Sequence, residues 1–325
     1  MALQATRGRR RRAAGGWQCQ TPRVSVGVIV PVYGRPRYLR EALDAVLGQE
    51  PRPDEVIVVD DASPEPVVLT REHAVACRLV RREERGGPGA ARDTALELLQ
   101  TGLVACADAD DVWLAGKLAV QLDALNQHPE VALCFGAAEI VGPEGEPTGE
   151  RWQTLPTGVL DADFLAPLLF EHNPIPTSSI LARRHALRAA GGFTGPPLGE
   201  DWALWLRLLT RGERFLFEPR AVVRYRRHAE GATADIAALA ASAYFIHETH
   251  AGLVDEATRR RVRAADLTAL ARGRVRQRRY AAARHALAQA AALSPPAPKE
   301  RALRAVLAVP VVRAVLGRRD PYRGR

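Results

Sequence analysis

Apolar residues in this chain alternate between short continuous runs and helical periods, and that alternation sets the expected fold class. Val24 to Val30 is a β-rich apolar run broken by Pro31, which predicts a buried strand. Leu39, Ala42, Leu43, Val46 and Leu47 recur at helical spacing within Arg37 to Gly48. Glu55 to Val59 is a second apolar run and ends at Asp60-Asp61; Arg78 to Val80 predicts a third strand. Pro88 to Leu99 reads as a helix with Ala91, Ala95, Leu98 and Leu99 on its apolar face, and Gly102 to Ala107 as a further strand. Strands and helices joined in this order by short turns predict an α/β fold, a mainly parallel sheet flanked by helices on both faces. Such sheets bind ligands outside the carboxyl ends of their strands. Pro31-Val32-Tyr33, Asp60-Asp61 and Asp108 to Asp111 all fall at predicted carboxyl ends.

Further along, Lys117 to Asn126 predicts a helix, Val131 to Val141 a strand, Pro143 to Pro147 a turn and Asp161 to Leu169 a helix. His172 to Thr177, with Pro174 and Pro176, reads as a rigid irregular segment leading into Ser178 to Ala182. Asp201 to Leu209 places Trp202, Trp205, Leu206 and Leu209 on one helical face; Phe215 to Phe217 and Ala221 to Tyr225 read as short strands. From Asp235 onward strand signals fade and Ala, Arg and Leu dominate. Leu267 to Arg276 and Tyr280 to Leu293 predict a helical hairpin, and residues 299–318 a basic amphipathic helix. The expected organisation is a basic disordered tail over 1–23, an α/β domain over 24–232 and a basic helical C-terminal region over 233–325.

Composition narrows the class. A 325-residue chain with 47% hydrophobic residues suits one large globular domain with an appendage. No run of 18 apolar residues occurs, so no membrane-spanning helix is expected, and no apolar stretch of signal-peptide length follows the basic N-terminus. The four cysteines are far apart and lack paired metal-ligand spacing, which makes a reduced, cytoplasmic setting the default. The net charge of +9 is uneven: residues 1–23 carry six Arg and no acid, and residues 256–325 carry 18 Lys+Arg against four Asp+Glu. The segment between them is acidic. Solvated helix faces explain such ends; peripheral contact with an anionic membrane is the sharper reading. No nucleic-acid motif accompanies the charge, and nucleic-acid binding is not expected.

Asp108-Ala109-Asp110-Asp111 carries the chemistry. Three carboxylates at a strand end repel one another unless a cation sits among them. Mg²⁺ and Mn²⁺ take oxygen ligands and commonly share them with substrate phosphates. With Asp60-Asp61 upstream and Glu200-Asp201-Trp202 downstream, the set suggests a nucleotide diphosphate bound through a metal and one further carboxylate acting as a base.

These residues resemble the family 2 glycosyltransferases of GT-A fold. Val26 to Asp61 (VGVIVPVYGRPRYLREALDAVLGQEPRPDEVIVVDD) is similar to that family's opening strand–helix–strand, and GGPGAARD at 86–93 to its glycine-containing turn and helix. CADADDVW at 106–113 matches its DxD region; residues 173–193 and GEDWALWLRL at 199–208 are similar to its acceptor-side loop and catalytic helix. The resemblance spans about residues 24–230 and implies a GT-A, Rossmann-like fold and a metal-dependent, inverting transfer from a nucleotide sugar, a UDP-sugar first. The acceptor would be a hydroxyl-bearing glycan, lipid or small molecule, in polysaccharide, glycolipid or glycoconjugate synthesis.

It also implies roles. Pro31 and Tyr33 would border the nucleotide base, Asp60 the base or ribose, and Asp108 the ribose or the metal shell. Asp110 would ligate Mg²⁺ or Mn²⁺, with His228 a metal ligand or diphosphate contact. Arg92 would face the nucleotide or brace the carboxylates by bidentate pairing. Asp201 would be the base, with Glu200 orienting the site. Pro176, Ser178 and Trp202 would line the acceptor side, and Arg226 or Arg227 would meet the diphosphate. The sequence departs from the family at Ala62, Arg85, Asp93 and Ala95, where Gly, Asn, Asn and Gly are usual. A helix cap at Asp201, a turn at Asp60 and a core role for Trp202 are the plainer alternatives. Competing functions are a catalytically degenerate domain that binds partners or membranes through its basic ends, and a nucleotidyltransferase. A dinucleotide oxidoreductase fits less well, because no Gly-x-Gly-x-x-Gly follows the first strand.

Overall fold

The computed structural model describes residues 24–34, 37–152, 155–228, 236–295 and 298–308. The expected N-terminal tail and the part of the expected terminal helix beyond 308 lie outside these residues. The chain opens with β1 (Val26–Val32), α1 (Leu39–Leu47), β2 (Glu55–Asp60), α2 (Arg71–Ala76), β3 (Arg78–Arg81), α3 (Gly87–Leu98) and β4 (Leu103–Cys106). There follow β5 (Val112–Trp113), α4 (Lys117–Gln127), β6 (Val131–Val141), β7 (Pro147–Trp152), β8 (Gly158–Leu160), α5 (Ala162–Glu171) and β9 (Ile180–Arg183). Next come α6 (Arg184–Ala189), α7 (Glu200–Thr210) and β10 (Arg214–Arg226), and then α8 (Ile236–Thr249), α9 (Glu256–Arg276), α10 (Tyr280–Leu293) and α11 (Pro298–Ala308).

Successive strand residues point to opposite faces of a sheet, and β1 and β2 are buried on both. Ile29, Ile57 and Val59 pack with Ala91, Ala95 and Leu96 of α3 on one face. Val28, Val30, Val56 and Val58 pack with Leu39, Leu43 and Val46 of α1 on the other. Each fully buried Val, Leu or Ile among them contributes about 1.5–3 kcal/mol of burial. The strands pair in the order β3-β2-β1-β4-β9-β6-β10-β5. The first four are parallel, β9 inserts antiparallel between β4 and β6, and β6 and β10 run parallel. This is the expected α/β architecture, a mostly parallel central sheet between helices.

Several elements differ from expectation. Pro31 does not end β1 but pairs with Val59 inside it. The backbone of Ile29 faces β4, where its carbonyl accepts the Ala107 N–H at 2.9 Å, and Pro31, two residues on, faces the same side. β4 has ended by then, so the missing proline N–H interrupts no ladder. β10 is one long strand rather than two, with a register shift between Glu218 and Ala221 that absorbs Pro219 and Arg220. β7 pairs with β6 beyond the expected turn; its residues are nearly all exposed and lack the alternation that marks a half-buried strand. Lys117 opens α4 and is buried, donating to Gln121 Oε1 at 2.5 Å and to the Ile180 carbonyl at 3.0 Å. Burial lowers its pKa to about 7. With Gln121 Nε2, which reaches the Ser179 carbonyl at 2.8 Å, it fastens α4 to the segment entering β9.

The C-terminal helices are more than a solvated appendage. Asp255 caps α9 by accepting the Thr258 N–H at 2.7 Å. Leu267 and Ala271 of α9 pack on Ala283, Ala286 and Leu287 of α10, giving the expected hairpin. Ile246 of α8 belongs to the main core, in one cluster with Trp202 and Trp205. Among the described residues no helix is long and apolar enough to cross a membrane.

Candidate active site

The loop after β4 is held from two sides. Asp108 N–H donates to Ser178 Oγ at 3.0 Å. Arg226, at the end of β10, donates its own N–H to Asp111 Oδ1 at 3.0 Å and its Nε to the Asp110 carbonyl at 2.9 Å. Its other guanidinium nitrogens reach the Pro143 carbonyl at 2.9 Å and Glu41 at 2.7 Å. The loop therefore turns Asp111 inward and leaves Asp108 and Asp110 partly open to solvent. Burial, reinforced by Asp110 and Asp108, pushes the Asp111 carboxyl well above the usual range. Asp110 is also raised, by burial and then by Asp108, against the opposing hydrogen bond from His228. His228 Nε2 lies 2.9 Å from Asp110 Oδ2, and its ring rests 5.4 Å from that of Tyr38.

Arg92, buried on α3, ties this loop to α7. It donates to Asp108 Oδ1 at 2.5 Å and to Glu200 Oε1. Burial alone would lower its pKa, but Asp108 and Glu200 outweigh burial and raise it. Burial raises Glu200 to about 7, with Arg92 opposing and Asp201 adding to the rise. Asp201 stands beside it in the first turn of α7. Its Oδ2 accepts from Thr177 Oγ1 at 2.6 Å and from Asn173 Nδ2 at 3.2 Å, and its Oδ1 from the Trp202 N–H at 2.7 Å. The cap position belongs to Gly199, at φ +80°, so Asp201 is not the N-cap residue. Asn173 and Thr177 lie in the segment whose resemblance is to an acceptor-side loop, but no local signal singled them out.

At the end of β2, Asp60 is fully buried and accepts from Ser63 N–H at 2.9 Å, Val67 N–H at 3.2 Å and Arg81. Burial would raise its pKa; these hydrogen bonds win and lower it. Asp60 thus organises the turn after β2. Asp61 accepts from Gly86 N–H at 3.0 Å, Gly87 N–H at 2.7 Å and Arg82, joining β2 to the glycine turn that starts α3. Ala62, where the resemblance expects Gly, takes a left-handed φ of +54°. Pro31 is buried at the floor of this edge, and Tyr33 is exposed with the Arg85 guanidinium 3.8 Å from its ring centroid.

The structure revises several expected contacts. Ser178 is 0% exposed and Pro176 is buried; Ser178 braces the Asp108 loop instead of lining an open acceptor side. Trp202 is a core residue whose Nε1 donates to the Leu169 carbonyl at 2.5 Å. Arg226 is spent inside the fold, and the exposed Arg227 pairs with Glu150 at 2.6 Å. Asp108 is engaged by Arg92 through Oδ1, and Asp110 and His228 stand together as a second pair with metal-ligand chemistry. Among the described residues no group of three or more His, Cys, Asp and Glu side chains converges as a metal cage. A half-open carboxylate beside an imidazole nitrogen still fits Mg²⁺ or Mn²⁺, which keep waters and take substrate phosphates as remaining ligands.

An acidic loop at the carboxyl end of β4, joined by a buried arginine to an acidic helix start, sits on a fold shared with GT-A glycosyltransferases. Staphylococcus aureus TarS, residues 1–349, superposes with a TM-score of 0.59 at 18% identity, over 89% of this chain and 87% of that one. Mannosyltransferase PcManGT from Pyrobaculum calidifontis, in complex with GDP-Man and Mn²⁺, gives a TM-score of 0.52 at 22% identity, over 91% and 87%. The sequence model of glycosyl transferase family 2 matches residues 27–188, and the chain belongs to that family. The pre-mycofactocin glycosyltransferase of Mycobacterium tuberculosis is 33% identical over 211 residues, 62% of this chain and 42% of that protein. The chain spans 42–58% of the length of the mycobacterial relatives it matches.

Proposed function

We propose that this protein transfers a sugar from a nucleotide-sugar donor, a UDP-sugar first, to an acceptor hydroxyl with inversion at the anomeric carbon, in the synthesis of a polysaccharide, glycolipid or glycoconjugate. The Arg92 bridge is the observation that carries this reading. It makes the donor-side carboxylate Asp108 and the neighbour of the base, Glu200, parts of one rigid unit. TarS has been crystallised with UDP and with UDP-GlcNAc, which supports a donor of this class.

In the proposed reaction the acceptor oxygen attacks the anomeric carbon opposite the departing diphosphate. The new C–O bond forms as the bond to the diphosphate oxygen breaks. The hydroxyl proton passes to Asp201, which Thr177, Asn173 and the Trp202 N–H hold in one orientation. A divalent ion held by Asp110 and His228 would neutralise the charge that develops on the diphosphate. Calorimetry with UDP, GDP, dTDP and CDP, with and without Mn²⁺, tests the donor site. Manganese-dependent binding of one nucleotide, weakened at least about tenfold in Asp110→Ala, is expected. Equal affinity in the variant would remove Asp110 from the metal site, and binding of none would remove the donor site altogether.

A second part of the proposal concerns the hairpin of α9 and α10. Arg272, Arg276, Arg279 and Arg284 are exposed around its turn, and no acidic residue occurs between Asp266 and Glu300. Such a surface suits an anionic membrane, at about 1 kcal/mol per residue near the headgroups. Co-sedimentation with phosphatidylserine vesicles at low salt should fall sharply when these four arginines become glutamine. Unchanged sedimentation would sink the idea.

A further inference from the structure

Two consecutive residues of α8 press on α7 at both sides of Glu200 and Asp201. Ile246 lies against Gly199, so closely that a Cβ there would meet its Cδ1 at 3.1 Å. His247 meets Trp202 edge to face, with ring centroids 5.0 Å apart at 84°, and Phe170 of α5 at 4.9 Å. Its Nδ1 is 2.6 Å from Asp266 Oδ2 of α9, and both side chains are buried. Its Nε2 is buried without a hydrogen-bond partner among the described residues. Hence one hydrogen bond fixes the ring, and aromatic contact does the rest. The far end of α5 is tied to the same helix, where Arg261 of α9 pairs with Glu171.

Packing alone does not explain a polar pair here. A buried hydrogen-bonded polar pair adds little net stability over apolar side chains of similar shape. What it adds is a fixed ring edge against Trp202, the residue whose N–H holds Asp201 Oδ1. Resting on the reading of Asp201 as the base, we propose that His247, set by Asp266, is a positioning residue for the first turn of α7. The C-terminal helices are then part of the transferase centre. A misplacement of the base by about 1 Å can cost on the order of 100-fold in rate.

Two variants of the full chain test this. His247→Ala removes the ring. His247→Phe with Asp266→Leu keeps an aromatic ring against Trp202 and removes the polar pair, so it remains informative where the alanine variant does not fold. For each, hydrogen exchange over residues 199–203, nucleotide affinity with Mn²⁺, and turnover are compared with the unaltered protein. The expected result is exchange over 199–203 faster by at least about fivefold with β1 and β4 unchanged, and nucleotide affinity within about twofold. Turnover falls about tenfold or more. Unchanged exchange over 199–203, or a loss of nucleotide affinity equal to the loss of turnover, overturns the proposal. Exchange reports on the seating of α7 whether or not a donor has been found. Absence of transfer in the unaltered protein would therefore count against the transferase reading and not against the positioning role.

Discussion

Asp201→Asn should lower turnover by about 10²–10⁴-fold, the range a positioned general base supplies, with nucleotide affinity and folding unchanged. The substitution keeps the side chain's shape. Its carbonyl oxygen can still accept the Trp202 N–H, and the Thr177 hydroxyl can turn to accept from the new amide, so that only the 3.2 Å bond from Asn173 is given up. What disappears is a group able to take the acceptor's proton. Asp201→Asn also separates the base from the cap, because Gly199 and not Asp201 occupies the cap position and asparagine keeps an acceptor for the Trp202 N–H. Transfer assays paired with calorimetry and thermal melts would check it. Retention of a tenth or more of the turnover would end the assignment.

Arg92→Met should be the most destabilising single change in the site. It leaves Asp108 and the buried Glu200 without their shared cation, and removing one partner of a buried pair costs about 3–5 kcal/mol. Arg92→Lys should recover only part of this, since a point charge cannot reach both carboxylates as the planar fork does. The loss should depend on pH. Glu200 is raised to about 7 from 4.5. A carboxyl raised on folding favours the folded state below its unfolded pKa, and that contribution is lost as pH rises through the folded value. Without Arg92 the burial penalty stands unopposed and Glu200 takes up its proton more readily. The deficit of Arg92→Met should therefore be larger at pH 8 than at pH 5. Urea unfolding at the two values measures it; an equal deficit at both would show that Glu200 is not the group left exposed to the penalty.

Much of the chain is legible because local chemistry agrees with the fold. The runs at 24–30, 55–59 and 103–107 became β1, β2 and β4 because strands buried on both faces must be apolar throughout. Val131 to Val141 became β6 with the expected bounds. Two elements that escaped notice have little to bury. β7 is solvent-facing, and α2 buries only His73. Lys117 and His247 show the limit from the other side: polar residues, read alone, belong on the surface, and only their partners permit burial.

The site divides in the same way. Sequence alone determined the family, the sheet and the acidic clusters near its carboxyl edge, because strand periodicity and carboxylate repulsion are local properties. It left Arg92 between a nucleotide contact and a brace. It assigned Ser178 and Trp202 to an acceptor surface that the fold buries. Those roles depend on which groups meet across long sequence separations: Arg92 with Glu200, Asp108 with Ser178, Arg226 with Asp111, and His247 with Trp202. A carboxylate's neighbours decide whether it is spent inside a turn, as Asp60 is, or held open, as Asp110 is. Only the closed tertiary structure brings those neighbours within hydrogen-bond distance.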